Sequence, residues 1–366
     1  MDTQRLILLV IFSFSLLMLW EAWEKEKRPK PPPPPPAAQQ NIPAPAKPAA
    51  PPAAQAPGAA PSSAVPSASA PAQGETVRVS TELMIAEVDT LGATLKRVEL
   101  LKHKDSKDLH KNLTLLGPDH HYEAQSGLAG EGGPNHRTLW RLLPGERSLD
   151  GGKDSVELRF AASGKDGVEV QKVYTFHRGS YVVDVALEVR NPGSAPLAAY
   201  SYFQLTHDGK PDANPNTVAE TFGAQSFIGF AVYTDEHKYE KVHPADIDKG
   251  KASHVKQAND GWLAFVQHYF VSAWLPAPGM RRDFVTEKRQ DGTYAGRVMI
   301  PLTVAPGAAA KLSVPLYTGP QEQRQLQAAA PGLDLVVDYG WLAIIAWPLF
   351  WLLEKFHALT GNWGVA

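Results

Sequence analysis

The chain of 366 residues is 43% hydrophobic and 20% charged, with a formal net charge of −2. This is a globular composition without the basic field that would hold a nucleic acid. There is no cysteine, which excludes disulfides, thiolate metal sites and cysteine nucleophiles together and leaves the compartment open.

Half of the 32 prolines fall between Pro29 and Pro71, so the average conceals a sharp division. Residues 1–28 form the first unit. Leu6–Trp20 is an uncharged apolar run interrupted by two serines. As a helix it is ~22 Å long at ~1.5 Å per residue, short for a hydrocarbon core of ~30 Å unless its ends help. Arg5 can snorkel at one end, and Trp20 and Trp23 suit the interfacial belt at the other. A cleaved signal peptide has an apolar region of similar length. However, LLMLWEAWEKEK offers no small-x-small cleavage site, which favours an uncleaved anchor. Counting basic residues (Arg5 before the run; Lys25, Lys27, Arg28 and Lys30 after it) favours a cytoplasmic location for the segment C-terminal to the run, although long segments translocate regardless of such counts.

Residues 29–74 are dominated by Pro and Ala, with Lys30 and Lys47 as the charges. Proline removes backbone donors and favours polyproline II, so this stretch reads as a disordered tether. Fully extended, it reaches on the order of 140 Å at ~3.1 Å per residue.

From residue 75 to 331 the pattern alternates with period two. In YVVDVALEVRN, Tyr181, Val183, Val185, Leu187 and Val189 share one face, while Asp184, Glu188 and Arg190 share the other. Ser155–Phe160, Val170–Phe176, Ala195–Gly209, Gly261–Pro276, Gly296–Gly307 and Lys311–Pro320 read similarly, separated by Gly, Pro, Asn and Asp. The expected fold is therefore mainly β, a large sandwich of two antiparallel sheets. Gln321–Ala330 lacks the alternation and carries strong helix formers, predicting a short helix ended by Pro331-Gly332.

Residues 332–366 close the chain. Trp341–Leu353 is apolar but too short to span a bilayer, Asp338 is placed to cap a helix start, and Pro348 would bend the helix. An interfacial helix and a buried core helix both fit, and Trp341, Trp347, Trp351 and Trp363 favour the interface. GNWGVA reads as the first residues of a further span, so the chain is expected to stop short of the next membrane helix.

Side chains that could carry chemistry have bland readings beside the sharp ones. His120-His121, and His103 with His110, lack partners at metal-ligand spacing. Ser253–Lys256 satisfies S-x-x-K without the companion motifs of that chemistry. Gly127–Gly133 is Gly-rich without a phosphate-loop lysine or a dinucleotide pattern and reads as a surface loop. Alternation through Gly261–Pro276 puts Trp262, Phe270 and Trp274 on one face, expected to be core.

Several stretches together resemble the YidC/Oxa-type membrane protein insertases: MDTQRLILLVIFSFSLLMLWEAW, YEAQSGL, DEHKYEK, GWLAFVQHYFVSAWLP and LDLVVDYGWLAIIAWPLFWLLEKFHALTGNWG. The resemblance covers nearly everything but the Pro/Ala tether. It implies a cytoplasmic N-terminus and a periplasmic β domain in the bacterial inner membrane, overruling the charge count. It further implies a mutarotase-like super-sandwich, a final helix near Gln321–Ala330 bracing the domain, and an interfacial helix at Trp341–His357. The implied function is insertion and folding of inner-membrane proteins, alone or with the Sec translocon including SecDF, without a cofactor or enzymatic chemistry. Nascent membrane proteins would be the clients. In that family a hydrophilic groove with an arginine lowers the cost of moving polar groups into the bilayer; here the arginine would lie beyond Ala366. Two other readings stand beside this one: a membrane-anchored carbohydrate-binding or mutarotase-like protein, resting on fold analogy alone, and a scaffold docking partners such as SecDF.

Overall fold

The computed structural model describes residues 74–130, 133–149, 152–210, 227–337 and, near the end, 352–353, 355–357 and 360–361. The expected anchor (1–28) lies outside the described residues, as does the tether but for Gly74, its last residue. In chain order the elements are β1 (Thr76–Ser80), β2 (Met84–Asp89), β3 (Thr94–Lys104), β4 (Asn112–Leu116), β5 (Glu123–Ala129), β6 (Arg141–Leu142), β7 (Ser155–Ser163), β8 (Glu169–His177), β9 (Val182–Arg190), β10 (Leu197–His207), β11 (Gly229–Thr234), β12 (Lys238–Val242), α1 (Pro244–Asp248), β13 (Gln257–Ala258), β14 (Trp262–Gln267), β15 (Phe270–Trp274), β16 (Arg282–Lys288), β17 (Tyr294–Val304), β18 (Ala309–Pro320) and α2 (Gln323–Ala329), closed by a 3-10 turn at Leu333–Val336.

The strands form two nine-stranded antiparallel sheets, as the alternation predicts. The first runs β1-β2-β3-β5-β10-β17-β16-β13, with β4 paired to β3. The second runs β12-β11-β14-β15-β18-β9-β8-β7-β6. Their inner faces make the core. On β9, Val183, Val185, Leu187 and Val189 are fully buried while Asp184 and Arg190 face outward, as period two requires. Phe203 of β10 meets Trp274 of β15 with ring centroids 5.2 Å apart, fixing those two positions as inner. Gly296 of β17 must be glycine for the same reason: a Cβ there would lie 2.4 Å from the Phe230 ring of β11.

One expectation needs correction. Gly261–Pro276 is not a single strand but a hairpin, in which Gln267 pairs with Phe270 and His268-Tyr269 forms the turn. Leu263 stands opposite Trp274, so Phe270 and Trp274 share the inner face while Trp262 faces the other way. The turn contains no Gly, Pro, Asn or Asp and instead holds Tyr269 at φ 70, a left-handed conformation uncommon for tyrosine.

Two buried cations tie irregular segments to the sheets. Arg282, fully buried, donates all five guanidinium hydrogens to main-chain carbonyls of Met280, Gly261, Pro276, Asn259 and Ala277. Lys172 occupies an inner-facing position of β8, between Val170 and Tyr174, and is also fully buried. Its Nζ donates to the carbonyls of Gly92 (2.7 Å), Ala93 (3.3 Å) and Ser126 (2.7 Å), and lies 4.8 Å from the centre of the Trp140 ring. A polar group this deep is tolerated because all three ammonium hydrogens are matched.

Burial pushes the Lys172 ammonium down from 10.5 to about 7. The unfolded chain therefore holds this proton over a window in which the folded chain has lost it. Stability must rise with pH across that window, with a limiting slope of about 1.4 kcal/mol per unit. Relative to Lys172→Met, the native protein should gain on the order of 2 kcal/mol between pH 7 and pH 9 in urea unfolding curves. A difference that does not move with pH would show that the three carbonyls hold the proton against desolvation.

Candidate functional site at the exit of the sandwich

After β18 the chain crosses the outer face of the second sheet. That face has a floor of small side chains in register across three strands: Ala231 opposite Ala264, and Ala264 opposite Ala273. One step along, Tyr233 and Trp262 stand opposite one another and stack, with centroids 5.5 Å apart at 11°. The Trp262 Nε1–H donates to the Pro331 carbonyl at 3.0 Å. At the hairpin end, the Gln321 side-chain amide donates to the carbonyls of Gln267 (2.8 Å) and Phe270 (3.1 Å), and the Gln321 backbone N–H donates to Tyr269 (2.8 Å). Between these two clamps sits α2, and the 3-10 turn follows the second, with Leu326, Leu333 and Val336 buried.

The local chemistry explains the path. Glu322 precedes α2 in extended backbone, and Ala330 leaves it extended, as a residue before proline prefers. Gly332 then takes φ 70, where a Cβ would lie 2.4 Å from the Tyr233 ring. Only glycine meets both the conformation and the close approach. The predicted helix is thus present, ended by Pro331-Gly332, and Leu333–Val336 follows as a 3-10 turn.

In the closing segment, residues 352–353, 355–357 and 360 are helical, and Gly361 at φ 65 ends the helix with its N–H on the His357 carbonyl (2.7 Å). Leu352, Leu353 and Phe356 are exposed. Among the described residues no helix is long and apolar enough to cross a membrane. The predicted membrane-interface residues Arg5, Trp20, Trp23, Trp341, Trp347, Trp351 and Trp363 lie outside the described residues.

The histidine pairs resolve differently from their sequence neighbourhoods. His121 is exposed, and His120 meets residues far along the chain: its Nδ1 is 3.1 Å from Asp208, and its ring stacks on His207 at 5.2 Å. His120, His207 and Asp208 place ligand atoms within 4.8 Å of one another. However, the His207 Nδ1 lone pair already accepts the Gly209 N–H at 2.9 Å, so it is not free to hold an ion. The trio is a hydrogen-bonded packing cluster around the Tyr122 and Phe265 rings. His103 packs edge-on against Phe270 at 5.4 Å, while His110 is exposed. In Ser253–Lys256 the lysine reaches His254 at 3.0 Å rather than the exposed serine, which rules out a serine–lysine pair in this geometry. The front of Gly127–Gly133 is not a surface loop: Gly127–Ala129 completes β5.

Removing the two clamps together, by Trp262→Phe with Gln321→Ala, keeps the ring stack but deletes three hydrogen bonds. Amide exchange across 323–336 should accelerate at least about tenfold while the sandwich's unfolding midpoint moves far less. Unchanged exchange would mean that burial of Leu326, Leu333 and Val336 alone fastens the segment.

A family model described as the YidC periplasmic domain matches residues 76–352. Over its whole length the chain is 46% identical to the membrane protein insertase YidC of Aromatoleum aromaticum, covering 66% of that protein. It is 42% identical to the proteins of the same name from Nitrosospira multiformis and Nitrosomonas europaea, covering 66% and 62% of them. The chain thus spans a little under two-thirds of the length of these relatives. Solved structures that align include a galactose mutarotase related enzyme from Lactobacillus acidophilus (8% identity, TM-score 0.42, 67% of this chain and 97% of that one). A putative aldose 1-epimerase from Escherichia coli K12 aligns at 10% identity and TM-score 0.40, over 67% of this chain and 99% of that one. By the family model and by identities above 40% along its whole length, the chain belongs to the YidC family and contains its periplasmic domain.

Proposed function

We propose that this chain is the anchor, tether and periplasmic domain of an inner-membrane insertase that inserts and folds membrane proteins, alone or with the Sec translocon including SecDF. Residues 1–28 anchor it and 29–74 form the tether. Residues 75–331 are the periplasmic sandwich, and 332–366 hold the interfacial helix and the start of a second span. Arg5, Trp20 and Trp23 mark the anchor's two interfaces, and Trp341, Trp347, Trp351 and Trp363 the headgroup depth of the closing segment. Its work is mechanical and positional rather than enzymatic, with nascent membrane proteins as clients.

The observation that carries this reading is the whole-length likeness to insertases from three bacteria. The exit geometry supports it: α2 is clamped to the sandwich rather than trailing from it, so the chain is held to the domain as far as the described residues before the closing segment run. The exposed Leu352, Leu353 and Phe356 supply the apolar face such a segment needs.

A chimaera in which this chain replaces the matching region of the Aromatoleum aromaticum relative should sustain growth of a strain depleted of its own insertase. Leu326→Asp with Leu333→Asp puts carboxylates into fully buried positions and should lower insertion of a reporter membrane protein several-fold. His110→Ala with His121→Ala, on the surface, should leave insertion unchanged. Equal tolerance of both pairs would remove the exit segment from the mechanism.

A further inference from the structure

The outer face of the first sheet carries a pocket, lined by charged side chains and by Leu128, Ala129 and Met299, that the insertase reading does not use. Strand register builds its floor. Gln204 of β10 lies opposite Arg297 of β17, and Tyr202 lies opposite Met299, all on the face turned away from Phe203 and the core. Glu287 of β16 and Arg289 just after it form one wall. The segment after β5 folds over to form the other, bringing Asn135, His136 and Arg137. It comes this close because Gly127 has no side chain: a Cβ there would lie 2.8 Å from the Asn135 Cα. The pocket is half-open and its volume is about 360 Å³, within the range of small-ligand sites.

The described lining residues carry three guanidiniums and one carboxylate. Arg297 pairs with Glu287, and Arg289 with Asp291 at 3.4 Å. Even so, the Arg297 Nε is buried without a hydrogen-bond partner, a donor whose desolvation is uncompensated. The wall is fixed by Tyr202. Its Oη accepts the His136 backbone N–H at 2.9 Å and shares a hydrogen bond with His136 Nδ1 at 2.7 Å. Burial first, then the fields of Arg289, Arg137, Lys172 and Arg297, hold His136 down at about 4. The imidazole is therefore a neutral N–H donor at neutral pH rather than a fourth charge. Guanidiniums gathered in a half-enclosed polar site match the geometry of a phosphate, which accepts paired N–H bonds from planar forks. Gln204, Asn135 and the Met299 side chain would face an uncharged polar body.

We propose that this cavity binds a phosphate monoester or diester on a small polyol, with Arg137, Arg289 and Arg297 taking the phosphate. The same phosphoglycerol chemistry occurs in free glycerol 3-phosphate and in the headgroup of phosphatidylglycerol. Calorimetric titration of the full chain in neutral detergent with glycerol 3-phosphate should give saturable binding, and glycerol should give none. Arg137→Gln with Arg289→Gln removes charges at the rim, leaves the core untouched, and should weaken binding at least about tenfold. Titration of the same detergent-held chain with dihexanoyl phosphatidylglycerol and, as control, dihexanoyl phosphatidylcholine assigns the source. Saturable phosphatidylglycerol binding that is lost in the double variant identifies the lipid headgroup; saturable binding of the free ester alone identifies a soluble phosphate. Heats identical for native and variant protein, or absent from both, overturn the proposal.

Discussion

The Lys172 ammonium, sealed between the two sheets, is the contact on which the remaining geometry leans. It starts on β8 of the second sheet and ends on carbonyls of Gly92, Ala93 and Ser126, the turn before β3 and the middle of β5 in the first. The Gly92 N–H donates in turn to Thr138 at 2.7 Å, and Trp140, whose ring lies by the ammonium, returns its own N–H groups to Thr90 and Asn135. Gly92 at φ 79 lets the His136 carbonyl approach where a Cβ would lie 2.5 Å away. One charged group therefore orders the segment that walls the arginine-lined cavity. An apolar residue in its place would leave three carbonyls facing hydrocarbon.

The two outer faces are used in opposite ways. On the second sheet, aligned alanines make room for a covering segment, and Tyr233 with Trp262 makes the edge against which that segment stops. On the first sheet, Tyr202, Gln204 and Arg297 are large and polar at the corresponding outward positions, and the segment that covers them is an irregular one, residues 135–137, held by the Tyr202 hydroxyl, rather than a helix lying flat. Small side chains leave room for a helix, and large polar ones leave an open pocket beside them. The difference is one of side-chain volume and charge on otherwise equivalent pleated surfaces.

Much of this was legible in the residues. Period two in Tyr181–Asn191 marks a half-buried strand because alternate side chains must point to opposite faces, and the buried valines obey it. The loss of alternation after Pro320 marks the exit helix. The features that stayed hidden did so for physical reasons. The Gly261–Pro276 hairpin turns on His268-Tyr269, residues without turn chemistry of their own, held by pairing on both sides. Lys172 passed unnoticed in Val170–Phe176 although it sits on the apolar parity of that strand, because its acceptors are main-chain carbonyls 46 to 80 residues away. The arginine cavity draws on four segments, and no local spacing announces it.

The placement of β18 has a mechanical consequence. It is an interior strand, hydrogen-bonded to β15 on one side and to β9 on the other, and it runs straight into the clamped exit segment. Tension applied at residue 337 would first have to break the Trp262 and Gln321 attachments. It would then reach a strand flanked on both sides, whose many hydrogen bonds lie across the pulling direction and must yield together rather than unzip one at a time. A domain that hands its chain onward from the middle of a sheet resists being drawn out in a way that one ending on an edge strand does not.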